Sequence, residues 1–215
     1  MAKSSVADFF DSYAHDFDAI YGTRHTALNR LVNKHLRKSM RLRYEKSIAG
    51  CDPIEGRSVL DIGCGPGHFG IALASRGARR VVGIDFAPQM LTVAQQHAKQ
   101  KGIADRCEWV LGDFLSHSFS EKFDYAIICG VMDYIAKPGA MIDKVLSVIT
   151  GKAFFSFPVG NGLLAWQRKL RYKKRCDLFL YSQSQVKELF SNRQVDLTIE
   201  QIARDFFVTV ARRQS

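Results

Sequence analysis

The chain has 215 residues, 47% of them hydrophobic and 24% charged, with a formal net charge of +10. That length and apolar content exclude a disordered chain and suit one α/β domain with a continuous core. The excess of base favours acidic partners, whether nucleic acid, anionic lipid or a small carboxylate or phosphate, without choosing among them. Five cysteines, Cys51, Cys64, Cys107, Cys129 and Cys176, form no C-x-x-C pair, which speaks against a zinc cage or a disulfide framework, so no metal is expected. No apolar run approaches the ~18 residues of a membrane span, and Met1–Asp11 lacks a signal-peptide core, so a cytoplasmic protein is expected.

In chain order, residues 5–22 place Phe9, Tyr13, Phe17, Ile20 and Tyr21 on one helical face, with Gly22 as a stop. The aromatic stripe suits a helix packed on the domain and a lid over a ligand equally; in the second reading Tyr13, Phe17 and Tyr21 would touch the substrate. Residues 24–46 carry Arg24, Arg30, Lys34, Arg37, Lys38, Arg41, Arg43 and Lys46 against the single acid Glu45, over a stripe of Leu28, Leu31, Val32, Leu36 and Met40. This basic amphipathic helix is either a solvated face or an anion-collecting surface. Residues 1–50 are therefore expected to be an N-terminal helical extension or lid, and 51–215 a single globular unit.

From residue 56 strands and helices alternate. Strands are predicted over 58–62, 80–84, 108–111, 125–129, 153–157, 196–201 and 206–211, and helices over 68–76, 88–101, 139–149 and 184–190. Such alternation implies a mostly parallel sheet with helices on both faces, a Rossmann-like three-layer sandwich of seven strands. Only Ala203-Arg204-Asp205 separates the last two strands, too few for a crossover, so they should form an antiparallel hairpin at a sheet edge. Between the fifth strand and the last helix, Trp166–Arg175 forms a second basic cluster with interleaved aromatics, either a solvated insertion or a stacking surface for bases.

Chemistry concentrates at three strand ends. Val59-Leu60-Asp61-Ile62 runs into Gly63, Gly65 and Gly67 on alternate positions, and a helix follows. Glycine lets a ligand lie against the backbone, and the helix start offers free N–H groups to an anionic end. The spacing is G-x-G-x-G rather than the G-x-G-x-x-G of dinucleotide sites. A second strand ends in Gly83-Ile84-Asp85, about 20 residues on, where a carboxylate can accept from ribose hydroxyls. Gly112-Asp113-Phe114 adds an acid and a ring after the third.

As a set, Val59–Gly67, Val82–Leu91, Leu111–Phe114 and the strand from Phe123 resemble the class I S-adenosylmethionine (SAM)-dependent methyltransferases over roughly residues 56–158. The resemblance implies SAM as cofactor and S-adenosylhomocysteine (SAH) as product. It implies that Gly63, Gly65 and Gly67 approach the methionine part, Asp61 orders the loop or the amino group, and Asp85 holds the ribose, followed by Phe86. Met90 would pack near the adenine, Asp113 would meet its amino group beside Phe114, and Cys129 would contribute strand-end backbone. The fourth strand end, Cys129–Ile135, faces the methyl group in this family and lacks the Asn/Asp-Pro-Pro-Tyr/Phe signature of base-amine methyltransferases. Asp133 and Tyr134 are the active-site candidates there, although Asp133 could equally cap a turn. Ile20-Tyr21-Gly22 before a basic helix and the later run into Phe179-Leu180-Tyr181 are similar to magnesium-protoporphyrin O-methyltransferases, a short match that does not name a substrate. The resulting expectation is methyl transfer to an oxygen or nitrogen of a small acidic molecule. The alternatives are an RNA methyltransferase using basic clusters 24–46 and 168–175, an enzyme on an anionic membrane surface, and a non-catalytic SAM-binding protein.

Overall fold

A computed structural model describes residues 27–160 and 178–213, with 27–37 as helix backbone only. The aromatic stretch 5–22 with Tyr13, Phe17 and Tyr21, the part of the expected extension or lid 1–50 that would touch the substrate, lies outside the described residues, as does the basic run 168–175. The described elements are α1 (Ala27–Gly50), β1 (Ser58–Ile62), α2 (His68–Ser75), β2 (Arg80–Asp85), α3 (Pro88–Gln100), β3 (Cys107–Leu111), β4 (Phe123–Ile128), α4 (Pro138–Val148), β5 (Ile149–Pro158), α5 (Gln183–Phe190), β6 (Val195–Ile202) and β7 (Asp205–Arg212). They build one seven-stranded sheet in the order β3-β2-β1-β4-β5-β7-β6. β1 to β5 are parallel, while β7 runs antiparallel to both β5 and β6.

The period of two decides which helix each strand residue meets. Leu60, Val82, Ala126, Phe155 and Val208 face α4 and α5, which bring Met141, Ile142, Val186 and Phe190. Val59, Val81, Ile127, Phe154 and Phe207 face the other way, onto Ile48 at the end of α1, Leu73 and Ala74 of α2 and Ala98 of α3. The parallel strands are accordingly near-continuous apolar runs buried on both sides.

The hairpin expected from its short turn is present, and the structure adds which arm lies inside. β7 carries Phe206, Phe207, Val208 and Val210, all buried, and takes the interior place against β5. β6 alternates apolar residues with Asp196, Thr198 and Glu200 and forms the edge, where polar side chains discourage further pairing. β5 starts directly after α4, earlier than its pattern suggests. Gly151 explains the difference: a Cβ there would lie 2.4 Å from the Asp124 carbonyl, beside a register shift between β4 and β5. Only glycine allows that approach, and glycine hides the strand from a propensity reading.

α1 is anchored along the sheet by its polar side chains. Ser39 Oγ donates to the Ile202 carbonyl at 3.5 Å and accepts from the Arg204 N–H at 3.0 Å. Lys46 pairs with Glu200 at 2.8 Å, Arg41 with Glu45 at 3.7 Å and Arg43 with Asp205 at 3.5 Å. Three of the basic residues read as a cluster therefore face acids of this same chain. At the starts of the central strands, Asp124 accepts from the Ser58 N–H at 2.8 Å, the Ser58 hydroxyl at 3.0 Å and Arg57 at 3.1 Å, joining β1 to β4. Burial works against that carboxylate, but these donors together hold it below the usual aspartate range.

Candidate functional site

β1 leaves the sheet into a turn whose alternate residues are all left-handed: Gly63 at φ 65°, Gly65 at 51° and Gly67 at 78°. The turn folds back on β2, with the Gly63 and Cys64 N–H groups donating to the Ile84 carbonyl at 2.8 and 3.3 Å. The three glycines differ in what surrounds them. A Cβ on Gly63 would lie 2.5 Å from Val131 Cγ2, and one on Gly67 would lie 2.6 Å from the Trp109 ring and 3.0 Å from Ala94. A Cβ on Gly65 would meet nothing within 4 Å. Gly63 and Gly67 are thus required by the protein's own packing, whereas Gly65 borders open space that a ligand can fill.

Two carboxylates hold the turn. Asp85, at the end of β2, accepts the Gly65 N–H at 2.8 Å on one oxygen and the Ala87 N–H at 3.0 Å on the other. Each carboxylate oxygen thus holds one backbone N–H of the loops that follow β1 and β2. Asp61 lies beneath, 2% exposed, and accepts the Gly70 N–H at 3.2 Å. α2 begins after Gly67, which has no side chain to cap it, and Asp61 supplies the missing acceptor from across the turn. Burial pushes the Asp61 carboxyl up to about 7; the Gly70 hydrogen bond opposes the rise and the nearby Asp85 charge adds to it.

Trp109 on β3 underlies this arrangement. Its ring would come within 2.5 Å of a Cβ on Gly83 and within 3.5 Å of one on Gly70, in addition to Gly67, so the indole fills the groove those glycines leave. Sequence reading assigned Trp109 only to a strand; its signal is the coincidence of a large ring on β3 with glycine in the middle of β2.

Where β2 and β3 end, two large apolar side chains stay exposed, Phe86 at 42% and Leu111 at 60%. Leu111 is registered opposite Asp85, which places both side chains beside that carboxylate's position at the strand ends. Leu111 was not singled out from the sequence, although an apolar residue directly before Gly112-Asp113 is the available clue. Phe114 is buried, its ring 5.9 Å from Phe119, and Met90 is buried in α3, so Phe86 rather than Phe114 presents a ring to solvent. Asp113 opens a tight turn, its carboxylate accepting the Leu115 N–H at 3.2 Å and its carbonyl the His117 N–H at 3.0 Å.

The fourth strand end lies against the glycine turn. Val131 meets the glycine turn at Gly63, so the loop after β4 packs directly on the loop after β1. Gly130, at φ 83°, donates its N–H to Ser156 Oγ at 2.8 Å, and that hydroxyl accepts from Arg43 at 3.2 Å. A 3-10 turn follows over Met132–Tyr134. Asp133 is buried within it and its carbonyl accepts the Phe179 N–H at 2.8 Å; Tyr134 is half-buried. Tyr181 donates to the Met132 carbonyl at 3.4 Å, and burial, reinforced by Asp133, pushes its hydroxyl up to about 12. Cys129 contacts Ser47 at 3.7 Å, and burial pushes its thiol up to about 11, away from the range of an activated thiolate. Among the described residues no group of three metal-ligating side chains occurs, and no described helix is long and apolar enough to cross a membrane.

A family profile described as "Methyltransferase domain" matches residues 54–193. Relatives include ubiquinone biosynthesis O-methyltransferases: that of Pseudomonas fluorescens (strain SBW25) is 31% identical over 48% of this chain and 45% of its own length. That of Neisseria meningitidis serogroup C is 33% identical over 51% and 47%. The chain thus spans about half the length of the curated relatives it matches. Among solved structures, magnesium protoporphyrin IX methyltransferase from Synechocystis PCC 6803 with bound SAH superposes with TM-score 0.81 at 20% identity, covering 98% of this chain and all of that one. A methyltransferase from Haloferax volcanii in complex with the Trm112 activator gives TM-score 0.73 at 15% identity, covering 98% of each. At these identities the likeness is one of fold.

Proposed function

The chain belongs to the class I SAM-dependent methyltransferase family, and from that premise we propose that it moves the methyl group of SAM to an oxygen atom of a small acidic molecule. The observation that carries the cofactor reading is the open space at Gly65, in a turn tied by its own N–H to Asp85. Gly63, Gly65 and Gly67 would receive the methionine end, over Asp61. Asp85, at the end of β2, would hold the two ribose hydroxyls. Phe86 and Leu111 would flank the adenine, with Asp113 accepting from its amino group beside Phe114, while Met90 would pack near the adenine from α3 and Cys129 would contribute strand-end backbone.

When bound, SAM supplies a methyl group already attached to a sulfonium leaving group. The task left to the protein is to hold the acceptor oxygen in line and keep water out. The loop Gly130–Ile135, packed on the glycine turn through Val131, is where that acceptor would sit, with Asp133 and Tyr134 as the contacting residues. Asp133 would take the proton of a hydroxyl acceptor; a carboxylate acceptor needs no base. Oxygen as the acceptor atom is supported by the names of the ubiquinone O-methyltransferase relatives, and an acidic acceptor by the net charge of +10.

The test incubates the protein with methyl-labelled SAM and separated pools of small acidic metabolites and RNA. Label is expected in the acidic small-molecule pool; its release as methanol by mild alkali identifies an ester, and mass spectrometry of alkali-stable product separates an ether from an N-methyl group. Label in RNA, or SAH formation with neither pool, defeats the proposal. Where the acceptor is a hydroxyl, Asp133→Asn should lower transfer at least tenfold while leaving SAH affinity within twofold, in line with typical general-base contributions of about 100-fold or more. Transfer to a hydroxyl acceptor at the unmutated rate makes Asp133 a structural residue.

A further inference from the structure

The segment joining β3 to β4 is irregular, yet it carries Asp113, the acid placed beside the adenine. Its internal restraints are the Asp113 carboxylate on the Leu115 N–H and the Asp113 carbonyl on the Ser116 and His117 N–H groups. The Leu115 and His117 carbonyls are both taken by one side chain from another element. Lys144, on α4, donates from Nζ to Leu115 at 2.9 Å and to His117 at 2.5 Å, and the same ammonium lies 5.4 Å from the centre of the Phe114 ring. A lysine ammonium has three donors and no preferred plane, which suits two carbonyls and a ring face around one nitrogen.

The contacts of Lys144 fall on residues 114, 115 and 117, the three that follow Asp113 most closely apart from Ser116. α4 is packed in the core through Met141, Ile142 and Val145, so the ammonium is delivered from a rigid support. Fixing Leu115 fixes the N–H that holds the Asp113 carboxylate. We propose that Lys144 is a positioning residue for base recognition, setting the Asp113 carboxylate so that the pocket prefers a 6-aminopurine over a 6-oxopurine. The inference rests on the reading of Asp113 given under the proposed function.

The experiment needs no methyl acceptor. Binding of SAH and of S-inosylhomocysteine, which carries a carbonyl where SAH has the adenine amino group, is measured by calorimetry for the intact protein and for Asp113→Asn, Lys144→Met, Lys144→Gln and Lys144→Arg, with a thermal melt for each. The unmodified protein should prefer SAH on the order of tenfold or more, the worth of one hydrogen bond to a charged acceptor against a repelling carbonyl. Asp113→Asn, which sets a donor beside the acceptor, should lose that preference. Lys144→Met and Lys144→Gln should lower it at least threefold, and Lys144→Arg, which can still reach both carbonyls, should keep it within twofold. A purely structural lysine would shift the melting temperature and both affinities together, leaving the ratio intact. An unchanged ratio in folded Lys144→Gln overturns the inference even if Lys144→Met does not fold. An unchanged ratio in Asp113→Asn overturns the Asp113 assignment itself.

Discussion

Replacing Gly65 and Gly67 separately by alanine distinguishes binding from folding within one turn. Both residues are left-handed, at φ 51° and 78°, so each alanine carries the same backbone strain, about 1–2 kcal/mol. The added methyl differs in what it meets. At Gly65 it enters open space, while at Gly67 it would lie 2.6 Å from Trp109 and 3.0 Å from Ala94, an overpacking that costs about 1–3 kcal/mol more. Gly65→Ala should therefore lose only a few degrees of melting temperature, at roughly 2–4 °C per kcal/mol for a chain of this size, and Gly67→Ala on the order of 10 °C. Affinity should move the other way relative to stability. Gly65→Ala should bind SAH at least tenfold more weakly, about 1.4 kcal/mol, because its methyl occupies the ligand's place. Thermal melts and calorimetric titration with SAH decide the matter. Unchanged SAH binding by Gly65→Ala would refute the cradle, and equal melting temperatures for the two variants would refute the brace formed by Trp109.

Asp85→Ala should weaken SAH binding at least tenfold and also lower stability by about 1–3 kcal/mol, because the Gly65 and Ala87 N–H groups lose their acceptor; a melt identical to that of the unmodified protein would show that the turn does not depend on this carboxylate. Asp61 gives a pH signature. Its carboxyl stands at about 7 in the folded protein against 3.8 ordinarily. The unfolded chain therefore ionises first, and the carboxyl lowers stability progressively from about pH 4 to pH 7 and no further above. Asp61→Asn lacks that loss, so its stability relative to the unmodified protein should rise across this window by up to ~4 kcal/mol and then level off; urea unfolding at pH 4.5, 6 and 8 measures it, and a flat difference contradicts the assignment. Arg43→Met removes the cation 3.5 Å from Asp205, in a pair only 11% and 3% exposed, and should cost about 3 kcal/mol, much of it recovered in Arg43→Met/Asp205→Asn; additive losses in denaturant melts would deny the coupling.

Most of the sheet was legible because its signals are local. The apolar runs of β1, β2 and β4, the turn chemistry at Gly63–Gly67 and the short link before Asp205 act over a few residues, and each leads to the strand or hairpin observed. The acids at β2 and β3 could be read for the same reason: an acid at a strand end is a matter of position along the chain. Residues whose meaning depends on distant partners were not legible. Arg43 looks like one of many surface bases until Asp205, near the other end of the chain, is beside it. Trp109 looks like a core residue until Gly67 and Gly83 are seen around its ring, and Phe114 looks like a ring for the base until Phe119 covers it. Asp133, a catalytic candidate by position, is buried in its turn, a fact that no spacing rule carries.

Trp109 also makes the turn visible to light. The chain has two tryptophans, and the other, Trp166, lies in the basic cluster. In a Trp166→Phe background the indole beneath Gly67 and Gly83 is the sole strong emitter, fixed against the segment that would receive the ligand. Its emission intensity and its access to a soluble quencher therefore report occupancy and turn rigidity in solution, without a dye, a label or a known acceptor.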